Sequence, residues 1–598
     1  MSGRAVVAAD GGRRPVSGGP GGVVPVREAA ALVERELAVL APELVDGFRA
    51  ALPAAAGSVA ARLAAALWRE DVAGARSRPA PAGRRHGFDR IDVPAGGGAG
   101  RPAGGGGPVD PVELLSAAVP GGAGRALAVE LADAVVKLAV ALARHSPGGY
   151  PAAAGVGADL AALGAERLAV HGHNLHPCGR TRLGWGVADV LAHDLEAERT
   201  WVGFVAVPRE EFVGDDVAAA LAGAYPQVPA APPGHVCQPV HGWQLAGVLR
   251  RYPRLRRLDG ELPAWPTAAL RTLLLPAGSD GRHRYLKVSL DIQVTSTRRT
   301  ISVASTRNGP VISGLLGRLL ADDPAAGRLL LLAETAGSAV AAGSGRDVSA
   351  ILRSGLDGRL AAGETVLSGA ALPAEAALPA EAALPAGSVA GPVVAGLVDR
   401  YAATRGVVAA ADAALGFVTE YARLLLPPLL RLTTRYGVAL EAHLQNCLPT
   451  FVAGVPHRMV WRDFAGLRLH LPRLAAAGLA PPLWPGSVTA TADLTAVRAK
   501  VGYSALQAHL GELVLRLTGS HGLDEAAAWR SVRQVVDETY EPLRSDRNRR
   551  IAAAAEADHA ALTARRVPHK ALVRMRLAGS GDVYVAVRNP LHGASRDR

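Results

Sequence analysis

The stretch from Lys287 to Arg299 is KVSLDIQVTSTRR, and its alternation decides the fold class of the surrounding region. Successive side chains on a β-strand point to opposite faces. One face would present Val288, Leu290, Ile292 and Val294, and the other Lys287, Ser289, Asp291, Gln293 and Thr295. The pattern predicts a strand with an apolar face on a core and a polar face that ends in two arginines. An ordinary surface strand with a solvated polar face would show the same alternation.

Similar β-branched runs, separated by turns, fill the chain from about Arg167 to Val303. Helical spacing of Leu and Val dominates on both sides of this region. We therefore predict an α+β protein in three units, namely a helical unit at residues 26–150, a sheet-rich unit at 151–330 and a mixed unit at 331–598.

Four further segments stand out by their composition or sequence pattern. Residues 1–25 are glycine-rich and predicted to be disordered, and residues 94–108 are predicted to be a flexible linker. The ALPAEA repeat at residues 371–388 is predicted to be an inserted surface loop. The tail from Ala571 onward is predicted to form a hairpin.

Composition limits the classes of partner. The 598 residues carry 65 Lys and Arg against 53 Asp and Glu, a formal charge of +12. With only 4% aromatic residues and no long basic run, we expect no nucleic-acid partner. The excess is mostly arginine, which suits carboxylate and phosphate, although a GC-rich genome would produce the same bias.

Membrane and secretory signals are also missing from the sequence pattern. No uninterrupted apolar run is long enough to span a bilayer, and the N-terminus lacks a secretory signal. The three cysteines do not suggest a disulfide framework. We therefore expect a cytoplasmic protein that does not act in the membrane.

A histidine-rich segment, HGHNLHPCGRTRLG at residues 171–184, combines imidazoles, guanidiniums and turn-forming residues. Such a loop can present several hydrogen-bond donors to an anion. A metal site formed by His173, His176 and Cys178 is an alternative, but the nearby arginines would repel a cation. A purely structural loop is a third interpretation.

A second polar set consists of EAHLQN, from Glu441 to Asn446, and RDFAG, from Arg462 to Gly466. Carboxylates and an amide in this order can hold Mg²⁺ beneath a triphosphate. The order is similar to the catalytic-loop Asn and the DFG Asp of protein kinases.

Together these segments resemble the IucA/IucC family, the aerobactin-type siderophore synthetases that work independently of non-ribosomal peptide synthetases. The resemblance rests on GHNLHPCGRTRLGW (family GHPxHPxxKxRxG), PVHGWQ (PVHPWQ), RT…LKVSLDIQVTSTRRT (RT…LKLSxxxxITSxxR), EAHLQN (ExHxQN), RDF and KALVRMRL…NPL. Their order and spacing agree over roughly residues 167–591.

The resemblance implies a helical thumb, sheet-containing fingers and a distantly kinase-like palm for the three units. It implies an enzyme that uses ATP and Mg²⁺ to adenylate a carboxylate of citrate or a related polycarboxylic acid, with release of pyrophosphate. The acyl group would pass to an amine, hydroxylamine or alcohol. It also implies a homodimer.

The family positions fall on named residues of this chain. The ATP-binding positions are His173, His176, Arg180, Arg182, Arg271, Thr272, Lys287, Gln445, Asn446 and Asp463. The carboxylate substrate would be held by Thr295, Ser296, Arg299 and His443, and catalysis is assigned to His443, Arg299 and Thr295. Mg²⁺ is assigned to Glu441 and Asp463.

Several departures of the chain from the family pattern bear on the site. Arg180 replaces a lysine, Gly242 a proline and His171 a glutamate, while Ala269 stands where a serine is usual. A hydrogen bond to a charged group is worth about 1.5–3 kcal/mol, so the missing hydroxyl at Ala269 predicts weaker ATP binding rather than lost chemistry. A kinase-like phosphotransferase and a non-catalytic anion-binding protein are the alternative functions.

Overall fold

A computed structural model describes residues 25–94, 109–145, 157–375 except 296, 342 and 344, and 391–593 except 580. The predicted disordered N-terminus, most of the predicted linker, residues 376–388 of the predicted insertion and Ser296 lie outside the described residues.

The first part of the chain is mainly helical, with one short strand pair. Its elements are α1 (Val26–Leu40), α2 (Val45–Arg69), β1 (Arg84–His86), β2 (Arg90–Asp92), α3 (Pro111–Ala118), α4 (Arg125–Arg144) and α5 (Ala158–Glu166). Helices α2 and α4 share one apolar core, which includes Leu63 and Leu131. The same core also contains Leu290 and Ile292 from the KVSLDIQVTSTRR stretch, so the predicted apolar face of that stretch packs against the helical unit.

The central part is built mainly of strands. Its elements are α6 (Val187–His193), β3 (Thr200–Pro208), β4 (Phe212–Gly214), α7 (Val217–Ala222), β5 (His235–His241), α8 (Gly242–Arg251), β6 (Arg256–Pro266), β7 (Thr272–Leu274), β8 (Arg284–Val288), β9 (Leu290–Val294), β10 (Thr297–Arg299), α9 (Val303–Ala321), β11 (Leu329–Leu331), β12 (Glu334–Val340), β13 (Ser349–Ser354) and β14 (Glu364–Val366). Eight strands form an antiparallel sheet in the order β4-β12-β13-β8-β7-β6-β3-β5. Two of them, β12 and β13, come from beyond the predicted boundary at residue 330.

The prediction of one continuous strand from Lys287 onward is wrong. The chain leaves the large sheet at Ser289 and forms a separate antiparallel pair, β9 with β10. The Ser289 hydroxyl donates to the Arg346 carbonyl at 2.6 Å and accepts the Ile301 amide at 3.1 Å. These contacts fix the break between Lys287 and the polar face of β9.

The last part mixes helices with small sheets. Its elements are α10 (Val393–Arg405), α11 (Ala410–Tyr436), β15 (Val438–Ala439), β16 (Cys447–Val452), β17 (Val455–Trp461), β18 (Arg468–His470), α12 (Leu471–Ala476), β19 (Ala490–Thr491), α13 (Leu494–Val501), a π-helix (Gly502–Leu510), α14 (Gly511–Ser520), α15 (Glu525–Arg544), α16 (Arg549–Leu562), β20 (Arg566–Lys570), α17 (Leu572–Ala578) and β21 (Tyr584–Arg588). The predicted C-terminal hairpin is present as the antiparallel pair β20–β21, but its connection contains the unpredicted helix α17. The mixture of helices and sheets confirms the α+β class.

Two helical segments, Pro42–Arg69 and Ala410–Tyr436, are long and apolar enough to cross a membrane by length and composition. However, 56% and 67% of their most apolar windows are buried inside the protein. Core helices show the same combination of apolar composition and burial.

Candidate active site

Three of the predicted site residues, Thr272, Lys287 and Asp463, meet where β7, β8 and the turn after β17 come together. Thr272 and Lys287 are direct neighbours across the β7–β8 ladder. Lys287 is 1% exposed, and its ammonium group donates to a carboxylate oxygen of Asp463 at 2.6 Å. The strand carrying Lys287 and the RDF turn, widely separated in sequence, are therefore in direct contact.

Two more charged side chains complete this contact. Arg353 donates to Glu334 at 3.1 Å and lies 3.8 Å from Asp463, and Glu334 lies 3.9 Å from the Lys287 ammonium. Burial works to raise the pKa of Asp463, but the charges of Lys287, Arg353 and Arg271 hold it well below its usual range. Asp463 is thus an ionised carboxylate surrounded by cations.

Arg271 and Arg299 extend the positive region beside Lys287. Arg271 donates to the carbonyls of Arg299 and Thr300, at 3.1 and 2.9 Å. Burial, together with the charge of Arg271, lowers the pKa of Arg299 to about 9. The Arg299 Nε and the Thr272 hydroxyl are buried without a hydrogen-bond partner among the described residues. Buried donors left unpaired are costly, so this region is suited to an anionic ligand.

Backbone strain is concentrated at the same place. Leu270, Thr295 and Asp463 adopt positive φ angles of 62°, 55° and 62°. For a β-branched residue such as Thr295 this region is a genuine outlier. Such residues cost roughly 1–3 kcal/mol each and occur preferentially at functional sites.

The histidine-rich loop supplies neutral donors. The Nδ1 atoms of His173 and His176 accept the amides of Leu175 and Cys178, at 3.1 and 2.9 Å. Burial lowers the pKa of His173 well below its usual range and that of His176 to about 3. Both rings are therefore neutral with the proton on Nε2. Since Nδ1 of each ring is occupied, these contacts favour the donor-loop interpretation over a metal site.

The Cys178 side chain belongs to the apolar core shared by α2 and α4, and burial raises the pKa of its thiol well above its usual value. Within the described ranges, metal-ligand geometry is found instead for Asp159, His283 and Asp357.

Arg180 and Arg182 bind carboxylates of the protein itself. Arg180 donates to Glu196 at 2.8 Å and to Asp194 at 3.2 Å, and Arg182 donates to Asp194 at 3.1 Å. Both guanidiniums are 2–3% exposed. In this arrangement they anchor the histidine-rich loop, and no phosphate contact is needed to explain their charge.

The EAHLQN segment lies against the RDF turn. Glu441 pairs with Lys500 at 2.7 Å, and the Asn446 amide donates to the Glu441 carbonyl at 3.1 Å. A Cβ added to Gly466 would lie 1.8 Å from a Glu441 carboxylate oxygen. Burial works to raise the pKa of Glu441, but Lys500 and His443 lower it overall. A second ionised carboxylate therefore sits beside the turn that begins with Asp463.

Gln445 is fixed through its backbone, because its carbonyl accepts Arg462 at 2.9 Å. Arg462 also pairs with the buried carboxylate of Glu166 at the end of α5. His443 follows Glu441 by two residues, and its ring lies 6.4 Å from that of His173. The histidine-rich loop and the EAHLQN segment thus border the same space.

The π-helix after α13 holds the EAHLQN segment in place. His509 contacts the Ala442 carbonyl through Nδ1 at 3.0 Å and the Tyr421 hydroxyl through Nε2 at 2.8 Å. Ser504 donates to the carbonyl of Lys500, the residue that pairs with Glu441. π-Helices often mark functional sites, and here the element positions both Glu441 and His443.

Sequence reasoning did not identify three charged residues of this site, Glu334, Arg353 and Lys500. Arg353 lies in the strand SAILRS, where a charge within an apolar run is a recognisable signal. Lys500 precedes the π-helix and has no comparable local signal.

One departure from the family pattern has a steric explanation. A Cβ at Gly242 would lie 2.3 Å from the ring of Trp201. Trp201 therefore occupies the space that a proline at this position would need. At Ala269, the backbone amide contacts the Thr267 hydroxyl at 3.3 Å.

The fold is shared with siderophore-biosynthesis proteins of known structure. Petrobactin biosynthesis protein AsbB from Bacillus anthracis matches with a TM-score of 0.75 at 17% identity, over 92% of this chain and 98% of that chain. Aerobactin synthetase IucC from Klebsiella pneumoniae matches with a TM-score of 0.69 at 19% identity, over 92% and 100%. At 17% and 19% identity, the structural likeness shows that the fold is shared.

Family models match two segments, residues 161–374 with the IucA/IucC family and residues 416–584 with a family described as ferric iron reductase FhuF-like transporter. D-ornithine–citrate ligase of Staphylococcus aureus is 28% identical over 329 residues, which cover 51% of this chain and 48% of the ligase. The chain spans about half the length of this curated relative. The resemblance carried by the motifs is confirmed, since residues 161–374 match the IucA/IucC family model.

Proposed function

We propose that the chain is an ATP-dependent siderophore-biosynthesis ligase. It adenylates a carboxylate of citrate or a related polycarboxylic acid and condenses the product with an amine, hydroxylamine or alcohol. The observation that carries the proposal is the buried cationic cluster of Arg271, Lys287 and Arg299 around Asp463, with donors left unpaired at Arg299 and Thr272.

Electrostatics make such a cluster necessary for this reaction. ATP and a tricarboxylate bring about seven negative charges into one site, which repel unless cations lie between them. Arg271, Lys287 and the hydroxyl of Thr272 would bind phosphate oxygens. The neutral Nε2–H group of His173 would add a donor without adding charge.

The acid would be held on the other side of the cluster. Arg299, whose Nη2 donates to the Thr295 hydroxyl at 3.2 Å, would bind its carboxylate together with Thr295 and His443. One carboxylate oxygen would then attack the α-phosphorus in line, and pyrophosphate would leave. Positioning and charge stabilisation account for most of the catalysis in such a step. A neutral amine then attacks the acyl-adenylate and AMP leaves, with His443 as the proposed proton acceptor.

Mg²⁺ would be held by Glu441 and Asp463, with the amide oxygen of Asn446 nearby. The donor set fits, since both carboxylates are ionised and oxygen ligands are those Mg²⁺ prefers. Bound there, the ion would neutralise charge on the phosphates. Each carboxylate is also paired with a lysine, Asp463 with Lys287 and Glu441 with Lys500.

Replacing Gly466 with alanine should displace the Glu441 carboxylate, because the new Cβ would lie 1.8 Å from its oxygen. We expect the Mg²⁺ concentration needed for nucleotide binding to rise roughly 10–100-fold, as for other changes that move metal ligands. Titration of Mg²⁺ against a fluorescent ATP analogue measures this. Gly519→Ala is the control, since nothing lies within 4 Å of its Cβ position. An unchanged Mg²⁺ requirement in Gly466→Ala would remove Glu441 from the metal site.

Pyrophosphate–ATP exchange that depends on an added carboxylic acid tests the proposal directly. Exchange in the presence of citrate or a related acid is expected. Release of ADP and phosphate instead would favour acyl-phosphate or kinase-like chemistry, and nucleotide binding without turnover would favour a non-catalytic anion-binding protein.

The arrangement of the chain is proposed on the same resemblance. The helical, sheet-rich and mixed units would form the thumb, the fingers and a kinase-like palm of a cytoplasmic homodimer. Light scattering coupled to size-exclusion chromatography tests the dimer.

A further inference from the structure

An arginine without a counter-ion lies buried at the end of α2. Arg69 is 5% exposed, and its guanidinium makes no hydrogen bond or ion pair with any residue that the structure describes. The adjacent Glu70 does not pair with it, because the Glu70 carboxylate accepts the amides of Val573 and Arg574. Burial and the charge of Arg90 lower the pKa of Arg69 to about 10, so it remains charged at neutral pH.

Two more polar side chains near the end of α2 also lack partners. One of them, Tyr503, packs with Leu572 in one apolar cluster, and the next residue, Val573, donates its amide to Glu70 beside Arg69. The Tyr503 hydroxyl and the His569 Nε2 are buried without a hydrogen bond, and their rings lie 5.4 Å apart. His569 donates through Nδ1 to the Gln507 side chain at 2.7 Å, and the Gln507 amide donates in turn to the Pro568 carbonyl at 2.8 Å. The neutral His569 ring therefore keeps an unpaired acceptor on Nε2.

The three residues Arg69, Tyr503 and His569, here called the Arg69 cluster, combine a cation, a hydroxyl and an acceptor. Buried polar groups are usually satisfied, and a buried unpaired charge is especially costly. Three unpaired polar groups close together are expected where a bound ligand completes their hydrogen bonds. A guanidinium with a hydroxyl beside it matches the two oxygens of a carboxylate.

The position of the cluster separates it from the phosphate-binding residues. Tyr503 is the second residue of the π-helix and follows Lys500, the partner of Glu441, by three residues, and the charges of both Arg69 and Glu441 act on its hydroxyl. Arg271 and Lys287, by contrast, surround Asp463. The Arg69 cluster thus borders the Glu441 side of the candidate site.

We propose that the Arg69 cluster is a subsite for a small-molecule substrate with a carboxylate next to a hydroxyl or amino group. Arg69 and Tyr503 bind the carboxylate, and His569 Nε2 accepts the neighbouring O–H or N–H. The inference rests on the proposed ligase function. Two substrates could supply this chemistry, a hydroxy acid such as citrate or an amino-acid acceptor such as ornithine.

The test uses Arg69→Met in the full chain, with Arg69→Lys to retain the charge and Arg49→Met as the matched control. Arg49 lies on the same helix, is 58% exposed and pairs with Glu34. Binding of citrate, ornithine and 1,4-diaminobutane is measured by isothermal titration, and thermal unfolding is measured without ligand. The last two ligands differ by the carboxylate.

Arg69→Met should raise the unfolding temperature of the ligand-free protein, because it removes a buried unpaired charge. It should weaken binding of one carboxylate ligand about 10–100-fold. If Arg69→Met loses citrate binding, the carboxylate bound by the cluster belongs to the hydroxy-acid substrate. If it loses ornithine binding while 1,4-diaminobutane binding is unchanged, the carboxylate belongs to the amino-acid acceptor.

A lower unfolding temperature with unchanged affinities, or wild-type protein that binds none of these carboxylates, would overturn the proposal. Acid-dependent pyrophosphate exchange on the wild type tests the ligase function separately. If the wild type shows no pyrophosphate exchange but binds a carboxylate in a way that requires Arg69, the ligase function is refuted and the subsite is supported.

Discussion

Replacing Lys287 with methionine is expected to lower acid-dependent pyrophosphate exchange about 10²–10³-fold, the usual cost of removing one electrostatic contact to the transition state. Lys287 is buried and contacts Asp463 at 2.6 Å, so its ammonium group is fixed before any ligand binds. Methionine retains most of the side-chain volume and removes only the charge. Because the ammonium group is already in position, it can stabilise the charge that develops on the phosphates without any rearrangement of the protein.

Nucleotide affinity should fall with the same substitution, by about 10–100-fold, because a hydrogen bond to a charged group is lost. Lys137→Met is the matched control, since Lys137 is also a buried lysine, 4% exposed, whose ammonium donates to the Trp185 carbonyl at 3.0 Å. Exchange kinetics and binding of a fluorescent ATP analogue give the two values. If both variants lose activity equally, the loss reflects buried charge in general rather than contact with ATP.

Local periodicity explains what the sequence could predict of the fold. The alternation of Leu290, Ile292 and Val294 depends only on neighbouring residues, and these side chains are buried as expected. The strand break at Ser289 depends on hydrogen bonds to Arg346 and Ile301, which are distant in sequence. No local pattern contains that information.

The same limit applies to the candidate site. Motif order predicted that Lys287 and Asp463 belong to one site, and the structure places them in contact. A count of arginines could not distinguish Arg271, beside Asp463, from Arg180, which is paired with Glu196. Lys500 was missed since its partner Glu441 lies 59 residues earlier in the chain. Charge partners at such separations are decided by tertiary packing.

Replacing Asp463 with asparagine is expected to destabilise the protein by about 3 kcal/mol at neutral pH, the lower end of the cost of breaking a buried ion pair. Asp463 keeps 24% of its side chain exposed, which places it at that lower end. The substitution leaves Lys287 and Arg353 with less compensation for their buried charges. Chemical denaturation of both proteins at pH 7 measures the difference.

The pH dependence of this difference separates an ion pair from a packing defect. The pKa of Asp463 is held below its usual range in the folded protein, mainly because the charges of Lys287, Arg353 and Arg271 outweigh the effect of burial. The unfolded value is about 3.9. The carboxylate therefore stabilises the fold fully above that value and less as the pH falls towards the folded pKa.

The unfolding free energies of wild type and Asp463→Asn should accordingly converge as the pH falls below about 4. Asp280→Asn is the control, because Asp280 also pairs with an arginine, at 2.6 Å, but is 41% exposed. Solvent screens such a pair, so its loss should change stability little at any pH. A difference for Asp463→Asn that stays constant down to acid pH would mean that lost packing, rather than the charge on Asp463, destabilises the variant. In that case the cations around Asp463 would not depend on its carboxylate, and the centre of the proposed nucleotide site would have to be reassigned.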